Sequence, residues 1–113
     1  MVWLGSSVIK FRNEKEYRNS LRRLVKLFKE YGLDPTSSYS TGTVNAFIDT
    51  PETEFEIVFD LKQGEAWISK IDGYDVTVLK VKSFKKFNEK RMKKILKYLL
   101  EEMYDYIPCP SFG

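Results

Sequence analysis

Between Glu14 and Tyr31 the apolar residues Tyr17, Leu21, Leu24, Val25 and Phe28 recur at three- and four-residue spacing, which places them on one face of a helix. Leu27 and Tyr31 widen that face. Asn13 is a suitable N-cap and Glu16 stands where a capping box puts its carboxylate, while Gly32 supplies the left-handed residue that ends a helix. A second helical pattern runs from about Phe84 or Glu89 to Tyr104, with Met92, Ile95, Leu96, Leu99, Leu100 and Met103 as its apolar stripe and an almost wholly basic polar face.

Between the helices the period changes from 3.6 to 2. Phe55, Ile57, Phe59 and Leu61 alternate with Glu54, Glu56, Val58, Asp60 and Lys62, the pattern of a strand with one face on a core and one in water. Four segments have strand character: Thr43 to Thr50, Phe55 to Lys62, Ala66 to Ile71 and Asp75 to Lys82. Their breaks, Pro51-Glu52, Gln63-Gly64-Glu65 and Asp72-Gly73-Tyr74, are short enough to predict hairpins. Asp34 to Gly42 is polar, follows a helix stop and contains Pro35, so it reads as a loop. Val8 to Phe11 offers a fifth, N-terminal edge strand. Pro108 and Pro110 flank Cys109 and predict an extended tail over Ile107 to Gly113.

These elements predict one α+β domain over residues 1–113: a two-layer sandwich in the order (β)αββββα. A four-stranded antiparallel meander carries two amphipathic helices on one face. The other sheet face is left without cover, and that face or its edge is a candidate homodimer contact.

Charge sharpens the picture. Residues 1–33 hold eight basic and three acidic side chains, residues 34–75 two and nine, and residues 76–113 nine and four, so the net +3 conceals segments of +5, −7 and +5. Basic helices bracket an acidic sheet. Arg18, Arg22 and Lys26 on the first helix, with Lys86, Lys90, Lys93, Lys94 and Lys97 around the second, are the candidate nucleic-acid contacts, because clustered cations attract phosphates through counterion release. Solvated helix faces are also charged, and enrichment in lysine and glutamate suits a thermophile. An acidic protein is the alternative partner.

The chain has no histidine and one cysteine, which removes Ser-His triads, HExxH zinc sites, Cys/His fingers and intramolecular disulfides. No histidine stands ready to activate Cys109, which reads as inert. A reducing, cytoplasmic setting fits. The N-terminal residues lack the basic and apolar regions of a signal peptide, and no run of about 20 apolar residues predicts a membrane span. Phosphate-loop glycine patterns are absent, so no cofactor is expected, and no residue is assigned to catalysis or to a metal.

Two resemblances bear on function. Asp49 and Asp60-Leu61-Lys62 resemble the aspartate and D/E-x-K pair of the PD-(D/E)xK nucleases, which implies carboxylates on a divalent metal and a lysine that orients water. The sequence departs from that family by placing Thr50-Pro51 after Asp49 and hairpins where the family has a helix. The order helix, antiparallel strands, helix, with lysines opening the second helix, resembles double-stranded RNA-binding domains. Here there is a fourth strand, and the histidine-bearing hairpin loop is missing. The rings of Trp67, Tyr39, Tyr74, Tyr104 and Tyr106 are available for base stacking, but the sheet face carrying Glu54, Glu56 and Asp60 repels phosphates, which leaves Trp67 to a core or dimer contact. The leading expectation is a small non-enzymatic binding module acting through its helices. The alternatives are a homodimeric interaction or regulatory protein and a metal-dependent nuclease.

Overall fold

The computed structural model describes residues 8–106. Helix α1 (Glu14–Glu30) starts at Asn13, whose side-chain oxygen accepts the Glu16 amide at 2.9 Å. The Glu16 carboxylate turns outward and takes Arg12 Nε at 2.7 Å. At the far end Gly32 adopts φ +76°, and the amides of Gly32 and Leu33 close on the carbonyls of Lys29 and Phe28. Five strands follow: β1 (Thr36–Ser38), β2 (Thr43–Asp49), β3 (Glu54–Asp60), β4 (Glu65–Asp72) and β5 (Asp75–Ser83). They form one antiparallel sheet in sequence order, and α2 (Glu89–Tyr104) closes the domain behind an Asn88 cap.

The meander is as expected, with one strand more. β1 lies inside the segment read as a loop and pairs Thr36, Ser37 and Ser38 with Asn45, Val44 and Thr43. Three polar residues carry no alternation that could announce a strand. The N-terminal strand is corrected: Val8 to Phe11 forms none, because the amides of Val8 and Ile9 both donate to one carbonyl, that of Lys62, at 2.7 and 3.0 Å. The expected tail over residues 107–113, Cys109 included, lies outside the described residues.

Cross-strand register assigns each side chain to a face. One face carries Val44, Ala46, Phe55, Ile57, Phe59, Ala66 and Ile68, all buried against Tyr17, Leu21, Leu24 and Phe28 of α1 and Met92, Ile95, Leu96, Leu99 and Met103 of α2. Phe28 and Phe59 meet edge to face at 5.4 Å. Burial of each of the larger aliphatic and phenylalanine side chains contributes about 1.5–3 kcal/mol. α1 rests on β1 and β2, and α2 rests on β4 and β5.

Both helices begin at the same end of the sheet. The Tyr17 hydroxyl, early in α1, donates to the Tyr39 carbonyl in the β1–β2 turn. The Phe84 amide, leading toward α2, donates to the Gly64 carbonyl in the β3–β4 turn at 2.8 Å. Gly64 sits at φ +70°, and a Cβ there would lie 2.3 Å from the Phe84 carbonyl oxygen and 2.8 Å from Ile9 Cδ1. Only glycine lets the turn come this close to the segment that launches α2.

Candidate phosphate-binding surface

The two basic helices differ in how their charges are arranged. α1 opens with Glu14 and Glu16 and has Lys29 in its last turn, in keeping with a helix dipole that is positive at its start and negative at its end, although its final residue is Glu30. Two of the nearby arginines are paired: Arg12 with Glu16 at 2.7 Å and Arg18 with Glu14 at 2.5 Å. Arg18 also lies over the Tyr39 ring, 5.2 Å from its centroid. The Tyr39 hydroxyl donates to Glu14 at 2.6 Å, and that bond to a carboxylate holds its pKa above the ordinary value. Arg22 and Lys26 are exposed further along the same helix.

In α2 the order is reversed. After Glu89 the cations Lys90, Arg91, Lys93 and Lys94 fill the first half and Lys97 follows just past the middle, then come Glu101 and Glu102, and no basic residue lies in the last turn. Cations at the positive end of a helix dipole cost stability, about 0.3–1 kcal/mol for each one in the first turn. Among the described residues none of these cations, nor Lys80, Lys82, Lys85 or Lys86, has a carboxylate within salt-bridge distance. Glu89 alone opposes them in the first turn.

The cations of β5 and α2 converge. Lys80 and Lys82 pair with Ile68 and Ala66, on the helix side of the sheet, because the ladder slips between Ile68 and Ser69 and leaves Leu79 as an extra residue. Their ammonium nitrogens lie 5.9 and 4.5 Å from the centroid of the Tyr98 ring on α2. Hydrogen bonding to the Tyr98 side chain, then the charges of Tyr98 and the Glu102 carboxylate, hold the Lys80 ammonium above its usual pKa. At the head of this seam, Ser83, Phe84, Lys85, Lys86, Asn88, Lys90, Arg91 and Lys94 line a cleft of about 590 Å³. A second cleft of about 180 Å³, between Lys82, Arg91, Lys94, Ile95 and Tyr98, adjoins it. The clefts on α1 are lined by Arg12, Lys15, Arg22 and Arg23 together with Glu16, and by Lys15, Arg18 and Arg22 together with Glu14. They share no residue with those of α2.

Of the sequence-level candidates, Lys86, Lys90 and Lys94 are brought together in the larger cleft, while Lys93 and Lys97 lie exposed on α2 outside both clefts. Arg18, Arg22 and Lys26 belong to the separate α1 surface. Lys82 and Arg91 were not among the candidates. The break in apolar phase from Val76 and Val78 to Leu79 and Val81 was the available sign of the slipped ladder.

Asp49 and Asp60 are not brought together. Asp49 pairs with Glu54 at one end of the β2–β3 ladder and Asp60 with Thr43 at the other, six residues away, or about 20 Å along a strand. The Asp60 carboxylate instead accepts the amides of Lys62 and Gln63, both at 3.0 Å, and Lys62 Nζ donates to the Ser40 carbonyl. Among the described residues no group of three acidic, histidine or cysteine side chains is placed to hold a metal ion, and no helix is long and apolar enough to cross a membrane. The Asp49–Glu54 contact raises the Glu54 pKa, through a side-chain hydrogen bond first and then partial burial and the neighbouring charges of Asp49 and Glu56.

No protein-family model, curated protein or solved structure matches this chain.

Proposed function

We propose that the protein is a small non-enzymatic module that binds nucleic-acid phosphates through the β5–α2 side, with an intracellular setting consistent with its single cysteine. The observation that supports this most is the cluster of cations around the first half of α2, placed against the helix dipole and lacking carboxylate partners. A polyanion supplies the missing counter-charge, and release of its condensed counterions drives the association. The open sheet face, with Asp49, Glu54, Glu56 and Asp60, turns phosphates away from the opposite side.

The test is the affinity for a labelled oligonucleotide across a salt series. Changing Lys90, Lys93, Lys94 and Lys97 together to glutamate is expected to abolish binding that falls steeply with salt in the parent protein, since each lost phosphate contact lowers the log–log salt slope by about 1. Affinity indifferent to salt and to these substitutions rejects the reading.

A second reading rests on a different observation. On the open face Val76, Val78 and Val81 of β5 are 60, 53 and 49% exposed, beside half-buried Trp67 and Ile71 of β4. A second copy fits this strip, because a two-fold contact centred on β4 and β5 sends the carboxylates of β2 and β3 to opposite flanks. Sedimentation of a Val78→Lys variant against the parent tests it: a parent that is monomeric at micromolar concentration ends the dimer.

A further inference from the structure

Resting on the phosphate-binding reading, we infer that the ligand of the β5–α2 seam is a single nucleic-acid strand laid along it, with Tyr98 as a stacking platform. The slipped ladder at Leu79 is the first support. In an unbroken strand the alternation set by Val76 and Val78 carries Lys80 and Lys82 to the open face, among the carboxylates. The extra residue turns both to the helix side, where Lys82 lines one wall of a trough and Lys80 lies near the Tyr98 ring just outside it. Arg91 and Lys94 on α2 form the other wall.

The second support is continuity. The two clefts share Arg91 and Lys94, so the trough runs without a break from Lys85 and Lys86, past Lys90, to Lys82 and Tyr98. Among the described residues no carboxylate lines either cleft, and Glu102 comes near enough to act on Lys80 beside them. Cations on facing walls of a narrow concave channel suit one flexible backbone, which can follow the seam and be contacted from both sides. A duplex is a stiff convex rod, and it reaches the outer cations Lys93 and Lys97, which line neither cleft.

The third support is the ring itself. Tyr98 is half-buried and so held in place, with Lys82 Nζ over its ring 4.5 Å from the centroid, a position that a base takes when the ammonium moves onto a phosphate. An anchored aromatic beside a cation is the element that single-strand sites use to stack bases without reading their identity. Tyr74, by contrast, is fully exposed at the β4–β5 turn and lines neither of these clefts.

The experiment is fluorescence anisotropy on the intact protein at one low and one moderate salt concentration. The probes are oligo(dT) and oligo(U) of about 12 nucleotides, within the usual range of a single-strand site, and a hairpin duplex of equal phosphate number. Either single strand is expected to bind at least about tenfold tighter than the hairpin, and the difference between dT and U reads any contact to the 2′-hydroxyl. Lys82→Gln with Lys94→Gln lowers single-strand affinity about tenfold, whereas Lys93→Gln with Lys97→Gln changes it less than about threefold. Tyr98→Leu weakens single strands and leaves the hairpin unaffected, and Tyr98→Phe restores binding. Circular dichroism melts confirm that each variant is folded. A hairpin bound as tightly as the single strands, or an outer pair that matters more than the trough pair, overturns the single-strand assignment and leaves phosphate binding standing. No binding of any probe at low salt removes both.

Discussion

The two helices begin at the same end of the sheet, cover the same core and have similar apolar stripes, yet they solve their electrostatics in opposite ways. α1 puts glutamates at its start and a lysine in its last turn, and pairs Arg12 and Arg18 within one turn. Exposed pairs of this kind contribute little individually, about 0–1 kcal/mol, but they leave the helix self-contained. α2 places its cations where its own dipole disfavours them and its carboxylates where the dipole disfavours those. Both are lysine- and arginine-rich, so composition does not separate them. The order of charges along the axis does.

The sharpest way to break this contrast is to reverse charge on each helix in turn. Lys90, Lys93, Lys94 and Lys97 changed to glutamate should cost at least about a hundredfold in oligonucleotide affinity at low salt, whereas Arg18, Arg22, Arg23 and Lys26 changed likewise should cost a few-fold through long-range field alone. Equal losses would mean that both helices share one site. Next in size is Gly64→Ala. The new Cβ meets the Phe84 carbonyl and the residue is held at φ +70°, so a loss on the order of 2–3 kcal/mol is expected in a denaturant titration.

On the α1 side, Tyr17 is buried and its pKa is pushed up to about 12, by burial first and then by its neighbours Tyr39 and Asp60. Its folded pKa is above the ordinary 10.0, so the stability it contributes is complete below about pH 10 and is lost as pH rises toward 12. Tyr17→Phe should therefore lower stability at neutral pH by about 1–3 kcal/mol, through the lost bond to the Tyr39 carbonyl, and flatten the alkaline limb of the stability profile. The smallest effect is the most diagnostic. Lys90→Glu with Arg91→Glu should raise thermal stability slightly, about 0.5 kcal/mol per position, while weakening oligonucleotide binding. Glu14→Lys, the mirror change in α1, should do the reverse to stability and nothing to binding.

Much of the fold is written in local signals. Asn13 and Gly32 mark α1 at both ends, and the hairpin turns around Gly64 and Gly73 fall where the alternation breaks. β1 escaped because Thr36, Ser37 and Ser38 are a strand only by virtue of their partner β2, a tertiary fact without a local trace. Ile9 is similar: it reads as part of a strand but is fixed by a turn more than fifty residues later, under Gly64. For the site, the abundance of cations was visible and their grouping was not. Two facts were needed to group them: α2 starts at Glu89, which fixes the charges against the dipole, and the ladder slips at Leu79, which moves two lysines to the helix side.

The extra residue at Leu79 also bears on how the protein behaves in a crowded solution. β5 is a nine-residue edge strand with exposed valines, which is a ready template for the addition of another chain. The bulge interrupts the regular spacing of its free backbone groups, and the two lysines on its helix side add charge to an incoming strand's path. Deletion of Leu79 would leave the neighbouring pairings intact and straighten the edge. The expected cost is twofold: some stability, because the half-buried Leu79 packs against the core, and a chain that adds slowly to itself on storage.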